Sequence, residues 1–415
     1  MKLSLLAASA LTFGVALPPS LGDTLLQPAP AITGTWSARL DDNWTRREGE
    51  RWVSIRMERD GDRSFGMGIP RADLEVAGVR GDNWSGSDVR FAVRRDAGAL
   101  EFTGSFSDGR GSGTFGFFPN AAFAASLKQS GRTASTEDML RLAIHDVSRT
   151  FIDGLEARGY PDLDIDELVR MRIHGVDPQY VDGMQKAGYA KLSADELVRT
   201  RIHGATPTYV QELRNVGYTG LSIEDLVKTR IHGATPSFIQ EVKTAGFGQL
   251  PVEDLVRMRI HGVTPEFIRE MRDLGYRDLR VEQLVKLRIH GATPAFLKEM
   301  GDLGFKNLQL DDAVKMRIHG VTGGFVKELR ALGYSDLDVD DLVKMRIHGV
   351  TPEFIRELKE LGYANVREEQ LVRLRIHGVN ADFIREVQAA GFKNMTADDL
   401  VDISIHGRHW LKKRG

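Results

Sequence analysis

The sequence predicts a β + α protein: a small antiparallel β meander, closed as a barrel or folded as a sandwich, followed by an α-solenoid of two-helix repeats. Two observations carry this expectation. Between residues 31 and 118, short runs alternate apolar and polar side chains and are separated by turn dipeptides, the period-2 signature of half-buried strands. From about residue 119 onward, ten of the eleven histidines, from His145 and His174 through His261 to His406, recur every 29 residues without a slip. A fixed period of that size marks an array in which each repeat is one supersecondary element.

Composition sets the outer bounds. A chain of 415 residues with 41% apolar content is long enough for more than one domain and a sizeable core. The 56 basic residues nearly balance the 58 acidic ones, so no global charge draws the chain to nucleic acid or to an anionic membrane. There is no cysteine, which excludes disulfides, thiol catalysis and thiolate metal sites. Lys2 followed by "LSLLAASALTFGVAL" and then "PPSLGD", with small Ser20 and Gly22 before Asp23, has the layout of a signal peptide over residues 1–22. That apolar run is short against the roughly 20 residues a membrane helix needs. The expectation is a periplasmic or secreted protein with no membrane span after signal removal; an uncleaved N-terminal anchor is the alternative.

In the first region, "VSIRMER" at 53–59 sets Val53, Ile55 and Met57 against Ser54, Arg56 and Glu58. Similar runs are "VRFAV" at 89–93, "LEFTGSF" at 100–106 and "TFGFF" at 114–118. Asp60-Gly61 and Asp108-Gly109 suit the positive φ of hairpin turns. Six or seven strands joined this way form a meander. "GTW" at 34–36 resembles the short motif that opens lipocalin barrels, which implies a small-ligand carrier as one alternative. No histidine precedes His145, and the adjacent acids Asp41 and Asp42 read as a solvated turn rather than an acid-base pair.

The region 119–415 reads as about nine helix-turn-helix repeats with capping ends. In the repeat around His261, "VEDLVRMRIHG" places Leu255, Val256 and Ile260 on one helical arc, and Gly262 follows as a left-handed cap. Thr264 and Pro265 then restart the chain, one as N-cap and the other at the first helical position. In the second helix Phe267, Ile268, Met271 and Leu274 share a face that ends at Gly275. The cap position tests this reading across the array. Three residues after each of the first nine repeat histidines stands Ser148, Asp177, Thr206, Thr235, Thr264, Thr293, Thr322, Thr351 or Asn380. All are N-cap formers although their identities differ. An aromatic follows three residues later each time, from Phe151 and Tyr180 to Phe383, and is expected in the core. "NAAFAASLKQSG" at 120–131 is expected to seal the array against the β region, and "GRHWLKKRG" to end it. Gly323 and Gly324 replace the usual restart and predict a softer helix start, at roughly 1 kcal/mol per glycine. Helices this short are marginal alone, so stacking of neighbours must bury their apolar faces.

The recurring polar residues invite a chemical reading. One histidine per repeat closes the first helix, where its ring meets free carbonyls at the negative dipole end. A metal bridging two repeats is not expected, because ligands must lie at roughly 2 Å while packed helices stand about 8–10 Å apart. Two residues before the histidine the side chain is always arginine: Arg172, Arg201, Arg230, Arg259, Arg288, Arg317, Arg346 and Arg375. Strict guanidinium usage points to a planar contact that Lys cannot make. The expected acceptors are Glu212, Glu241, Glu270, Glu299, Glu328, Glu357 and Glu386, in a structural ladder of partly buried pairs. Pairing with the following repeat, starting from Arg172 and Glu212, and pairing within one repeat both remain open.

"LVKMRIHGVTPEFIRELKELGY" at 342–363 resembles a repeat of exported or membrane-attached bacterial proteins, and is similar to repeats attached to beta-lactam-sensor-type membrane metallopeptidases. The resemblance covers residues 132–408, and "GSFSDGRGSGTFGFFPN" at 104–120 is similar to a segment that often precedes such repeats. No "HExxH" occurs, so a peptidase activity is not implied. The expected function is non-enzymatic: a binding or scaffold protein of the cell envelope that takes a protein or peptide partner on its repeat surface, with no catalytic residues, no cofactor and no metal. "IHGVTPEFI" is also similar to the hairpin of helix-hairpin-helix modules. Pro265, which lacks an N–H, and Glu266 at the helix start oppose phosphate binding there, so no nucleic acid is expected.

Overall fold

The computed structural model describes residues 29–41, 51–59 and 63–407. The expected signal peptide, Asp42, the Asp60-Gly61 turn and the tail beyond Gly407 lie outside the described residues. The architecture is β + α: a curled antiparallel sheet followed by helices in a repeated, solenoid arrangement. The chain divides into two compact units, residues 1–201 and 202–415.

The first unit opens with β1 (Ile32–Asp41), β2 (Trp52–Arg59), β3 (Arg63–Pro70), β4 (Glu75–Ala77), β5 (Gly86–Arg95), β6 (Gly98–Ser107) and β7 (Arg110–Pro119). They form one sheet in the order β3-β2-β1-β7-β6-β5-β4, with every pair antiparallel. The barrel-or-sandwich question is thereby settled as a half-barrel: an up-and-down order joined through β1 and β7, with β3 and β4 as its free edges. Alternation along β2 buries Val53, Ile55 and Met57. The inner face is filled by rings. Phe91 stacks on Phe102 at 4.5 Å, and Trp36 meets Phe91 edge-on at 5.2 Å. The Trp36 indole N–H donates to the Thr103 carbonyl at 3.0 Å, so the buried polar atom is satisfied. The "GTW" glycine has a packing reason, because a Cβ on Gly34 would stand 2.3 Å from the Glu58 carbonyl oxygen. Asp108 and Gly109 turn the β6–β7 hairpin with φ of 45° and 75°.

Helix α1 (Ala121–Gln129) follows directly, with Asn120 accepting from the amides of Ala122 and Phe123 and Phe123 buried. The first repeat is α2 (Thr136–Ile144) and α3 (Arg149–Glu156), and α2 packs on β6, β7 and β3. The first unit then adds helices Ile165–Ile173, Pro178–Lys186 and Ala194–Ile202. The buried Arg132 donates to the carbonyls of Leu163 and Pro161 and to Glu156, closing the open end of the first repeat.

In the second unit the pattern runs from helix Pro207–Asn215 to helix Ala397–Asp402 and a final π-helical turn, Ile403–Gly407. First helices pack on first helices of the next repeat and second on second, two rows that bury one another's apolar faces. All nine expected N-caps accept a hydrogen bond from the backbone amide three residues on, the N–H of the second-helix aromatic. Those nine aromatics, Phe151 to Phe383, are all buried. The helix beginning at Gly323 keeps its Thr322 cap, and the absent side chain leaves room for the Glu299 carboxylate, which a Cβ on Gly323 would meet at 2.0 Å.

Candidate functional site: the Arg-Ile-His edge

Eight first helices, those of His174 to His377, end on a left-handed glycine. In the repeat of His261, the last helical residue is Ile260, His261 is the C-cap, and Gly262 adopts φ of 68°. The Gly262 amide donates to the Arg259 carbonyl and the Val263 amide to the Met258 carbonyl, a closure that uses carbonyls the helix would otherwise leave free. Val263 is fully buried and pins the turn. Arginine, isoleucine and histidine are therefore held side by side on one corner, repeat after repeat.

The arginines are not where the sequence reading put them. Each guanidinium stands over the aromatic ring of the preceding repeat: Arg172 over Phe151, Arg201 over Tyr180, Arg230 over Tyr209, Arg259 over Phe238, Arg288 over Phe267, Arg317 over Phe296, Arg346 over Phe325 and Arg375 over Phe354, at 4.6–5.4 Å. From Arg201 onward the same guanidinium lies against the cap glycine of the preceding repeat; a Cβ on Gly204 would stand 3.0 Å from Arg230. No ion pair among the described residues joins one of these eight arginines to Glu212, Glu241, Glu270, Glu299, Glu328, Glu357 or Glu386. Arg172 pairs with Asp146 at 2.6 Å, Glu299 takes Lys327 at 3.0 Å, and Glu328 takes Arg356 at 2.6 Å. The strict use of arginine follows from stacking: a flat cation fits between ring and turn, and each contact is worth about 0.5–1 kcal/mol.

The charged ladder that does exist uses the position two residues earlier, where Arg and Lys exchange freely. Arg141 reaches Asp166 at 2.7 Å, Lys286 reaches Asp311 at 2.7 Å and Arg373 reaches Asp398 at 2.7 Å, with further pairs from Arg170 to Asp195, Lys228 to Glu253 and Lys315 to Asp340. A single exposed contact asks only for charge, so either cation serves.

Isoleucine is the second correction. Ile260 does not share the buried arc; Met258 takes that place beside Leu255 and Val256. Ile173, Ile202, Ile231, Ile260, Ile289, Ile318, Ile347, Ile376 and Ile405 are the large apolar side chains left 49–57% exposed on the described helices at this one position. A helical wheel treats every turn as equally covered, whereas a nine-residue helix packs its first turns and leaves its last at the margin. One signal for this edge was present in the letters. Ten isoleucines precede the ten repeat histidines without exception, while buried positions nearby exchange Val for Ala and Met for Leu or Thr. A core position tolerates such swaps better than strict identity implies.

The first repeat alone hides its isoleucine. Ile144 is 7% exposed, on the first helix that packs against the sheet. There the β5–β6 turn meets the α2–α3 corner: Arg95 pairs with Asp146 at 3.2 Å, and the Asp96 carboxylate accepts from the Arg149 amide at 2.8 Å. His145 at this corner is half-buried, and that burial, aided by Arg141, holds its pKa below the ordinary 6.5.

Among the described residues no group of three or more His, Asp or Glu side chains is placed to hold a metal ion. No helix among them is long and apolar enough to cross a membrane. The sheet carries an open depression of about 890 Å³ on β1, β2, β3 and β7, whose polar lining includes Ser37, Arg39, Ser54, Arg56, Ser64 and Arg110. No protein-family model matches the chain, and no curated protein matches it.

Proposed function

We propose that this chain is a non-enzymatic binding or scaffold protein of the cell envelope, and that the Arg-Ile-His edge is the surface on which it takes a protein or peptide partner. The observation that carries the reading is the isoleucine series. Nine large apolar side chains hold one register at about half exposure, and the tenth, Ile144, is buried where a polypeptide covers it. Eight of the nine, Ile202 to Ile405, recur within the second unit alone, and exposed apolar residues grouped in this way mark interaction surfaces, whereas scattered ones need no explanation. The stacked arginines flank that row with cations that no carboxylate of the glutamate series neutralises, so a partner offering apolar and acidic side chains matches it. The signal-peptide layout of residues 1–22 supports a site of action in the periplasm or outside the cell.

The test replaces three neighbouring rungs, Ile231→Ser, Ile260→Ser and Ile289→Ser together, in the full chain. The expected outcome is unchanged helicity and melting, with loss of the envelope proteins that the wild-type chain captures by cross-linking. Recovery of the same set by both chains defeats the reading. Two alternatives rank lower. A ligand carried inside the sheet competes for space with Trp36, Phe91, Phe102 and Phe106, which fill the inner face. Phosphate binding at the hairpins meets Thr264, Pro265 and Glu266 at the helix start, where the Thr264 hydroxyl already accepts from the Phe267 amide.

A further inference from the structure

A second ladder runs along the far ends of the second helices, eleven residues after each histidine. The Gln185 amide donates to the Arg158 carbonyl at 3.1 Å, Lys359 to the Leu332 carbonyl at 2.7 Å, Gln388 to the Leu361 carbonyl at 3.3 Å, and Lys243 to the Val216 carbonyl. Lys243 also stands over the Tyr218 ring at 5.8 Å, and Arg330 over Phe305 at 5.9 Å. Each donor satisfies a carbonyl left over at a helix C-terminus in the preceding repeat, where the dipole favours a cation.

The repeat of His290 breaks this row with Gly301. By the same spacing, the Leu274 carbonyl and the Tyr276 ring are the partners that a side chain at 301 would serve. Both residues instead line a cavity of about 530 Å³, together with Lys298, Gly301, Asp302 and Asp311. A Cβ on Gly301 would meet nothing within 4 Å, so the space at this rung is open.

We propose that this gap is a binding site for a guanidinium or alkylammonium group from outside the chain, entering as the missing rung and carried by an arginine or lysine side chain of a partner. The Leu274 carbonyl and the Tyr276 ring border the space, in the place where the adjacent repeats carry Arg272 and Arg330. The lining carboxylates Asp302 and Asp311 already hold Lys298 and Lys286, so an entering cation is received by the carbonyl and the ring. The site is independent of the isoleucine edge, so the two proposals fail separately.

The test measures amide hydrogen exchange of the full chain with N-acetyl-arginine amide, with its uncharged norleucine counterpart, and with the free amine agmatine. The expected result is protection of residues 274–276 by the arginine amide and not by the norleucine one. Gly301→Arg supplies the rung internally and should weaken that response by about tenfold or more, while Gly301→Ala, which alters helix propensity without filling the space, should retain it. Arg330→Gly opens the neighbouring rung and should add protection at residues 303–305. Absence of protection in the wild-type chain, an undiminished response in Gly301→Arg, or no new response in Arg330→Gly would overturn the site. A response to agmatine alone would overturn the assignment to a partner's side chain.

Discussion

The corner between two helices is built once against the sheet and eight more times without it, and the first version differs at its cap, at the arginine position and in the exposure of its isoleucine. In the later repeats the cap is glycine with φ of 66–72°; in the first it is Asp146 at 56°. A side chain in that conformation costs roughly 1–2 kcal/mol, and here the carboxylate offsets the strain by joining Arg95 of the sheet to Arg172 of the next repeat. The isoleucine differs too, buried at 7% in the first repeat and about half exposed in the others. Helix bounds match, while Met139, Leu140 and Leu142 stand where the next repeat has Leu168, Val169 and Met171, and the buried Ala143 stands where it has Arg172. The covered corner thus keeps the helix bounds and the left-handed cap of the open ones, and a preformed docking edge requires that its backbone move little on contact.

The comparison breaks or sharpens first on the isoleucines themselves. Ile144→Ala should destabilise the protein by about 2–4 kcal/mol, because a buried side chain leaves a cavity. Ile260→Ala should stay within about 0.5 kcal/mol, as an exposed position does. Denaturant unfolding of both variants measures the contrast, and equal losses would dissolve it.

A second contrast lies inside the array. Where the ring is Tyr180 or Tyr209, the residue 20 positions on is Thr200 or Thr229, and the hydroxyls meet at 2.9 and 3.0 Å. Where the ring is phenylalanine, as in Phe238, Phe267 or Phe325, that residue is Met258, Leu287 or Met345. Polar meets polar and apolar meets apolar. Phe238→Tyr should therefore cost about 2 kcal/mol by burying a hydroxyl against Met258. Adding Met258→Thr should recover most of the loss, and a double-mutant cycle reads the coupling.

The two basic positions of each first helix give a smaller effect. Arg259→Lys gives up the flat stack on Phe238 and should cost about 0.5–1 kcal/mol. Arg257→Lys retains the charge at a partly exposed site and should cost about 0.3 kcal/mol or less. Thermal melting of both variants checks the order, and a reversed order would remove the stacking account of the strict arginine.

The fold was legible because its signals are local. Period-2 runs, N-cap residues and cap glycines each act within a few residues, and the nine caps from Ser148 to Asn380 form as their chemistry dictates. The ring that each arginine chooses was not legible, because Arg259 and Phe238 belong to different repeats and their approach depends on how repeats stack. Charge alone nominated a glutamate, and geometry selected an aromatic face. The isoleucine edge was misread for a related reason: coverage of a helix end depends on its neighbours, which a wheel does not contain. The join of β1 to β7, between strands at the two ends of the sheet region, lies equally beyond local pattern.

The smallest expected effect is one of titration at the first corner. Burial lowers the His145 pKa in the folded chain, so the unfolded chain takes up the proton first as pH falls from the ordinary value of 6.5. Its contribution is fully present above that pH and is lost on acidification below it. Melting temperatures at about pH 7.5 and about pH 5.5 should differ more for the wild-type chain than for His145→Gln. An acid sensitivity that survives the substitution unchanged would mean that the sheet covers the first corner without desolvating its histidine, and the burial of Ile144 would then stand alone as the mark of contact.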